Sequence, residues 1–144
     1  MSDFKITMMV EVNYVRNIAM SLAKGMGFSQ VDQTKIAIAV SELGTNIVKY
    51  AGSGDIQLLP DDNGIVIVAK DEGPGISNID NAFQDHWSDS KCILDDDYTK
   101  HDGMGTGLPA VKRLMDECEV ISTSPRGTVI RAVKYIDGLT RAVS

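Results

Sequence analysis

Hydrophobic spacing changes period partway along this chain, and that change limits the architectures open to it. Apolar side chains first recur every three or four positions, as Val12, Val15, Ala19, Leu22, Ala23 and Met26, then as Ile36, Ala39, Val40, Leu43, Ile47 and Tyr50. Such spacing predicts two amphipathic helices. Gly25 and Gly27 close the first. Ser29 and Asp32 have capping-box spacing at the start of the second, which runs to Tyr50 before Gly52 and Gly54 stop it. Residues 55–59 and 65–69 then read as strands, joined by the turn formers Pro60, Asp61, Asp62, Asn63 and Gly64. A short strand is expected over residues 4–9, and a third helix over 108–116 with Pro109 tolerated in its first turn. Strands near 119–123 and 128–135 flank the turn Ser124-Pro125-Arg126-Gly127, and residues 137–144 read as a tail. Strands and helices therefore alternate along the chain.

At 144 residues the chain is about one domain long, enough to bury a core without staples. Fourteen basic against twenty acidic residues give a net charge of −6, which argues against sequence-independent nucleic-acid binding. Cys92 and Cys118 form no CxxC pair, and His86 and His101 are the only histidines. Neither a zinc site nor a disulfide framework is expected, and the usage fits a reducing cytoplasm. No apolar run approaches the roughly 18 residues of a membrane span. The N-terminus lacks a charged leader followed by a longer apolar stretch, so no membrane partner is expected.

Chemistry concentrates in a few places. Five of the thirteen glycines fall in Asp71-Glu72-Gly73-Pro74-Gly75 and Gly103-Met104-Gly105-Thr106-Gly107. The second cluster precedes a helix, so its N–H groups and the helix N-terminus suit an anion. By itself, a flexible connector explains it equally well. No Gly-Lys-Ser/Thr follows, as a Walker loop needs, and no strand leads directly in, as a dinucleotide fingerprint needs. On the second helix Glu42, Asn46 and Lys49 stand at i, i+4 and i+7, on one face. A carboxylate, an amide oxygen and an ammonium in one stripe suit activation of a hydroxyl, binding of Mg²⁺ and pairing with phosphate. A solvated Glu-to-Lys stripe is the other reading, although Asn is a poor helix former. Asp71 closes an apolar strand. Such an Asp usually starts a turn, yet the Glu-Gly-Pro-Gly after it also suits receipt of the exocyclic amine of adenine.

Taken in order, Ser41-Glu42-Leu43-x-x-Asn46-x-x-Lys49-Tyr50, Asp71-x-Gly73-x-Gly75, Gly103-x-Gly105-x-Gly107-Leu108 and Gly127-Thr128 resemble the Bergerat-type ATPase superfamily. That superfamily includes gyrase, the heat-shock chaperone ATPase, histidine kinases and the mismatch-repair ATPase. The resemblance spans nearly the whole chain. Within the superfamily, Asp-Glu-Gly-Pro-Gly-Ile and Gly-Thr-Gly-Leu-Pro-Ala-Val-Lys-Arg-Leu-Met-Asp-Glu are most similar to the anti-sigma-factor serine/threonine kinases, in particular the stressosome switch kinases.

The resemblance implies an α+β, two-layer sandwich with a mixed sheet and helices on one face. It implies a single kinase domain over residues 1–136, with an acidic lid insertion at 84–102. It further implies ATP and Mg²⁺ as cofactors, Glu42 as general base and Asn46 as the Mg²⁺ ligand, in keeping with that ion's habit of retaining waters and phosphates. Lys49 would contact phosphate and Asp71 the adenine amine, with Gly73 and Gly75 under the base. Gly103, Gly105 and Gly107 would wrap the phosphates, and Thr128 would complete the adenine contact. The implied activity is phosphoryl transfer to a serine or threonine of a small antagonist-domain protein, in a bacterial partner-switching stress pathway. The alternatives are an ATP-controlled grip on a sigma factor and activation of a phosphatase by docking. One departure stands out. Residues 84–102 carry Asp85, Asp89, Asp95, Asp96, Asp97 and Asp102 against Lys91 and Lys100, a net of −4 where the switch kinases have a short stretch. The run Asp95-Asp96-Asp97 lacks the alternating ligands of a calcium loop.

Overall fold

The computed structural model describes residues 2–73, 104–124 and 127–136. Five strands, β1 (Ser2–Ile6), β2 (Gly54–Pro60), β3 (Gly64–Asp71), β4 (Glu117–Ser124) and β5 (Gly127–Tyr135), form one sheet in the order β1-β2-β3-β5-β4. Among the described residues the α-helices are α1 (Met9–Met26), α2 (Gln30–Asn46) and α3 (Met104–Leu114). The α+β class implied by the resemblance is the one found. Within the described sheet, however, every pairing is antiparallel rather than mixed. The cause lies in the connections. β2–β3 and β4–β5 are consecutive neighbours, and the α1–α2 hairpin returns the chain to the end of the sheet where β1 finished. β3 and β4 do run the same way, but β5 lies between them.

Register decides which side chains meet the helices. The pairs Ile56↔Ala69, Leu58↔Ile67, Ile67↔Ala132 and Ala69↔Ile130 put one apolar set on one face. That set is buried together with Val12, Ile36, Leu43, Leu108 and Val111 of the helices, and forms a single core. The other face carries a polar network, in which Arg131 meets Glu117 at 3.4 Å and Glu119 at 3.2 Å and the Tyr135 hydroxyl donates to Glu117.

Local chemistry fixes the helix ends. The Glu11 carboxylate accepts from the Thr7 N–H at 2.6 Å, the Thr7 hydroxyl at 2.9 Å and the Met8 N–H at 3.1 Å. These donors hold its carboxyl below the ordinary range, the Thr7 backbone N–H most of all. By turning into α1 at Thr7, the chain also ends β1 at Ile6 rather than Met9. At the other end Gly27 adopts φ 97°, and the Phe28 N–H reaches back to the Ala23 carbonyl at 3.1 Å. That reversal needs a left-handed residue, which glycine supplies without strain. The Ser29 hydroxyl oxygen accepts from the Asp32 N–H at 3.1 Å, the cap its spacing predicts. α1 and α2 then pack closely, because a β-carbon on Gly44 would fall 2.7 Å from a Val12 methyl.

Other boundaries also differ from expectation. α3 begins at Met104 rather than Leu108. The second helix is α-helical only to Asn46, and Ile47–Ala51 is a π-turn. The Gly52 N–H donates to the Ile47 carbonyl at 2.8 Å, with Gly52 at φ 87°, and this contact closes the wide turn.

Candidate functional site

α2 brings its chemistry to the end of the sheet where β3 finishes and β5 begins. Ile36, Ala39, Val40, Leu43 and, in the π-turn, Ile47 are buried, which pins the helix stripe and leaves Glu42 and Asn46 half-buried beside it. The two lie one helical turn apart. α3 crosses directly over them at Gly107, whose Cα hydrogen face is turned to both side chains. A β-carbon placed there would lie 3.0 Å from Asn46 Nδ2, 3.1 Å from Asn46 Oδ1 and 3.3 Å from Glu42 Oε1. Asn46 Nδ2 is buried and, among the described residues, has no hydrogen-bond partner. A buried amide left this way costs free energy unless something arrives to pair with it. Lys49 stands on the π-turn and is exposed. A π-turn advances each residue by a smaller angle than an α-helix does, so Lys49 is rotated off the stripe that a continuous helix would have given it.

The second group gathers around Asp71, the last residue of β3. Its Oδ1 accepts from the Gly73 N–H at 2.9 Å, which fixes the carboxylate at the strand end. Thr128, 4% exposed, is its register partner on β5. Gly127 allows that approach, since a β-carbon there would lie 2.2 Å from the Asp71 carbonyl oxygen. Gly73 in turn rests on the π-turn: a β-carbon on it would meet the Ala51 β-carbon at 2.7 Å and the Tyr50 carbonyl at 3.3 Å.

The structure thus gathers Glu42, Asn46 and Gly107 into one contact set, and Asp71, Gly73 and Thr128 into a second. The π-turn joins the two. Gly105 lies within α3, while Gly75, Gly103, the acidic insertion 84–102 and the tail 137–144 fall outside the described residues. Ala51 was not among the residues expected at the site, because its role depends on a contact with Gly73 from another element. Only its place between Tyr50 and Gly52, after the Asn46 box, hints at it.

The donor set suits a hard cation held against phosphates. Asn46 offers an amide oxygen and Glu42 a carboxylate oxygen close by, and among the described residues the buried Asn46 Nδ2 has no hydrogen-bond partner. Among the described residues no group of three or more His, Cys, Asp or Glu could cage a metal alone. That arrangement fits Mg²⁺, which keeps waters and substrate phosphates in its shell. No helix among the described residues is long and apolar enough to cross a membrane.

Comparison with known proteins gives the family and the fold. Residues 9–134 match the histidine kinase-like ATPase domain family. The chain is 39% identical over 125 residues to the serine/threonine-protein kinase RsbT of Bacillus subtilis (strain 168), covering 84% of this chain and 86% of that protein. It is 29% identical over 129 residues to the anti-sigma F factor of Caldanaerobacter subterraneus subsp. tengcongensis, covering 86% and 85%. A chain from the crystal structure of the SiaB–SiaC complex of Pseudomonas aeruginosa superposes with a TM-score of 0.60 at 12% identity, over 92% of this chain and 89% of that one. This last likeness concerns the fold alone.

Proposed function

The chain belongs to the histidine kinase-like ATPase domain family, and from that premise we propose that it is an ATP-dependent protein serine/threonine kinase of a bacterial partner-switching pathway. The observation that carries the reading is the meeting of Glu42 and Asn46 against Gly107, beside the Asp71–Thr128 strand end. Phosphoryl transfer needs positioning and charge neutralisation more than covalent help, and these residues supply both. In this reading residues 1–136 act as one domain in the cytoplasm. The substrate is a serine or threonine of a small antagonist-domain protein.

Each side chain has a task that its surroundings suit. Glu42 accepts the proton of the attacking hydroxyl. The Asp71 carboxylate, already oriented by the Gly73 N–H, accepts from the adenine amine, and Thr128 lies beside it to complete that contact. Gly73 leaves room under the base, where Gly75 would join it; Gly103 and Gly105 would wrap the phosphates, and Lys49 would contact them. The Asn46 amide oxygen would hold Mg²⁺, which when bound neutralises phosphate charge.

The reading is tested by incubating the chain with γ-labelled ATP, Mg²⁺ and purified antagonist-domain proteins. Label should appear on a serine or threonine of one of them. Glu42→Gln should bind ATP as before and slow the transfer by about 10²- to 10⁴-fold, the usual cost of losing a general base. Transfer at the wild-type rate would remove Glu42 from that role. The 29% identity to an anti-sigma F factor favours a second reading, in which ATP controls a grip on a sigma factor or a phosphatase. ATP-dependent retention of either on the immobilised chain, with no label transferred to any antagonist protein, would select it.

A further inference from the structure

Gly107 is a glycine for a reason other than backbone conformation. It sits inside α3 and its φ lies outside the left-handed region, so any residue could adopt its geometry. Glycine is the poorest helix former after proline, so at an ordinary helical position it weakens the helix unless space demands it. Here space does. The three nearest atoms to a β-carbon at this position are Asn46 Nδ2, Asn46 Oδ1 and Glu42 Oε1, at 3.0, 3.1 and 3.3 Å, all tighter than ordinary contact. α3 is packed into the core on its other side. Leu108, the next residue, and Val111 are fully buried in the core, and Pro109 is buried as well. An added β-carbon therefore asks the two side-chain tips to give by a few tenths of an ångström.

We propose that Gly107 is a positioning residue: its missing side chain sets where the Asn46 carboxamide and the Glu42 carboxylate converge. This deepens the reading of the site as a Mg²⁺–ATP kinase centre and rests on it. It also assigns Gly107 a task distinct from wrapping the phosphates. A glycine that only wraps phosphate acts on ATP with or without metal, whereas one that places Asn46 acts on the metal-dependent part of binding and on the transfer step.

The test uses Gly107→Ala in the full chain. Fluorescent ATP carrying a methylanthraniloyl group is titrated with Mg²⁺ and, separately, with EDTA, and the Asn46 side-chain amide is followed by ¹⁵N–¹H spectroscopy. The metal-free affinity should stay within about threefold of wild type. The strengthening by Mg²⁺ should fall by about tenfold or more, as expected for a ligand displaced by a fraction of an ångström. The Asn46 amide signals should move while those of Asn63, at the β2–β3 turn, stay in place. Equal loss of affinity with and without Mg²⁺, or an unmoved Asn46 amide, overturns the proposal. If wild type binds no nucleotide at all, it is the kinase reading that fails. Should Gly107→Ala not fold, Asn46→Gln probes the same contact from the other side. It keeps the amide oxygen but pushes one more methylene toward Gly107, and should lose the Mg²⁺ effect. A Gln that preserves the effect in full also overturns the proposal.

Discussion

Asp71 and Cys118 show how differently two polar side chains can be set by their surroundings. The Asp71 carboxylate accepts from the Gly73 N–H, and in the proposed function it receives the adenine amine. Asp71→Asn replaces one oxygen by a donor, so binding of ATP should weaken by about 10- to 100-fold while GTP, whose base offers a carbonyl there, is affected less. Competition titrations with the two nucleotides check this, and equal losses would show that Asp71 does not read the base. Cys118, on β4 away from that site, has its thiol pushed up by burial to about 11 from 9.0. A raised folded pKa means stability is fully present below the unfolded value and is lost as pH rises from about 9 through about 11. The same shift leaves about 100-fold fewer thiolates at pH 8 than in the unfolded chain. Iodoacetamide should therefore label the Cys118 peptide of the native protein far more slowly than that of urea-unfolded protein, as read by mass spectrometry.

At the scale of elements, one buried cation holds two helices to the sheet. Lys134 of β5 is 7% exposed and donates to the Leu114 carbonyl at the end of α3 at 2.9 Å. It also pairs with Asp32 in the first turn of α2 at 3.7 Å and with Asp116, just beyond α3, at 3.8 Å. α2 carries Glu42 and Asn46, and α3 carries Gly107, so this bracket anchors both walls of the candidate site. Lys134→Met keeps the aliphatic stem but leaves two carboxylates without their cation. It should cost about 3 kcal/mol in urea unfolding, as breaking a buried ion pair does. The helix caps around it were legible in the sequence, because Ser29 and Gly27 act on groups a few residues away. The π-turn was not. Its wide hydrogen bond depends on Gly52 taking φ 87°, and Gly73 arriving from β3 seats against Ala51; periodicity alone extends the helix to Tyr50.

For the whole molecule, Mg²⁺–ATP should act as a staple, since the contact sets it would bridge come from α2, α3, β3 and β5. A ligand that binds only the native state adds about 2.7 kcal/mol at one hundred times its dissociation constant. Thermal melts with millimolar Mg²⁺–ATP should therefore rise by several degrees, and a folded sample with no shift would count against nucleotide binding. How that site is assembled divides into two kinds of information. Hydrophobic period, cap chemistry and the order of the Glu42–Asn46, Asp71–Gly73 and Gly105–Gly107 motifs are local properties. They yield α1, the start of α2 and the β2–β3 hairpin, and through the family resemblance the candidate site residues. Pairing direction, the central place of β5, the clearance at Gly107 and the Lys134 bracket were left to the tertiary structure. Each depends on which distant segments share a face or an end of the sheet. A β-carbon that nothing local forbids at Gly107 is crowded only because α2 brings Asn46 and Glu42 beneath it.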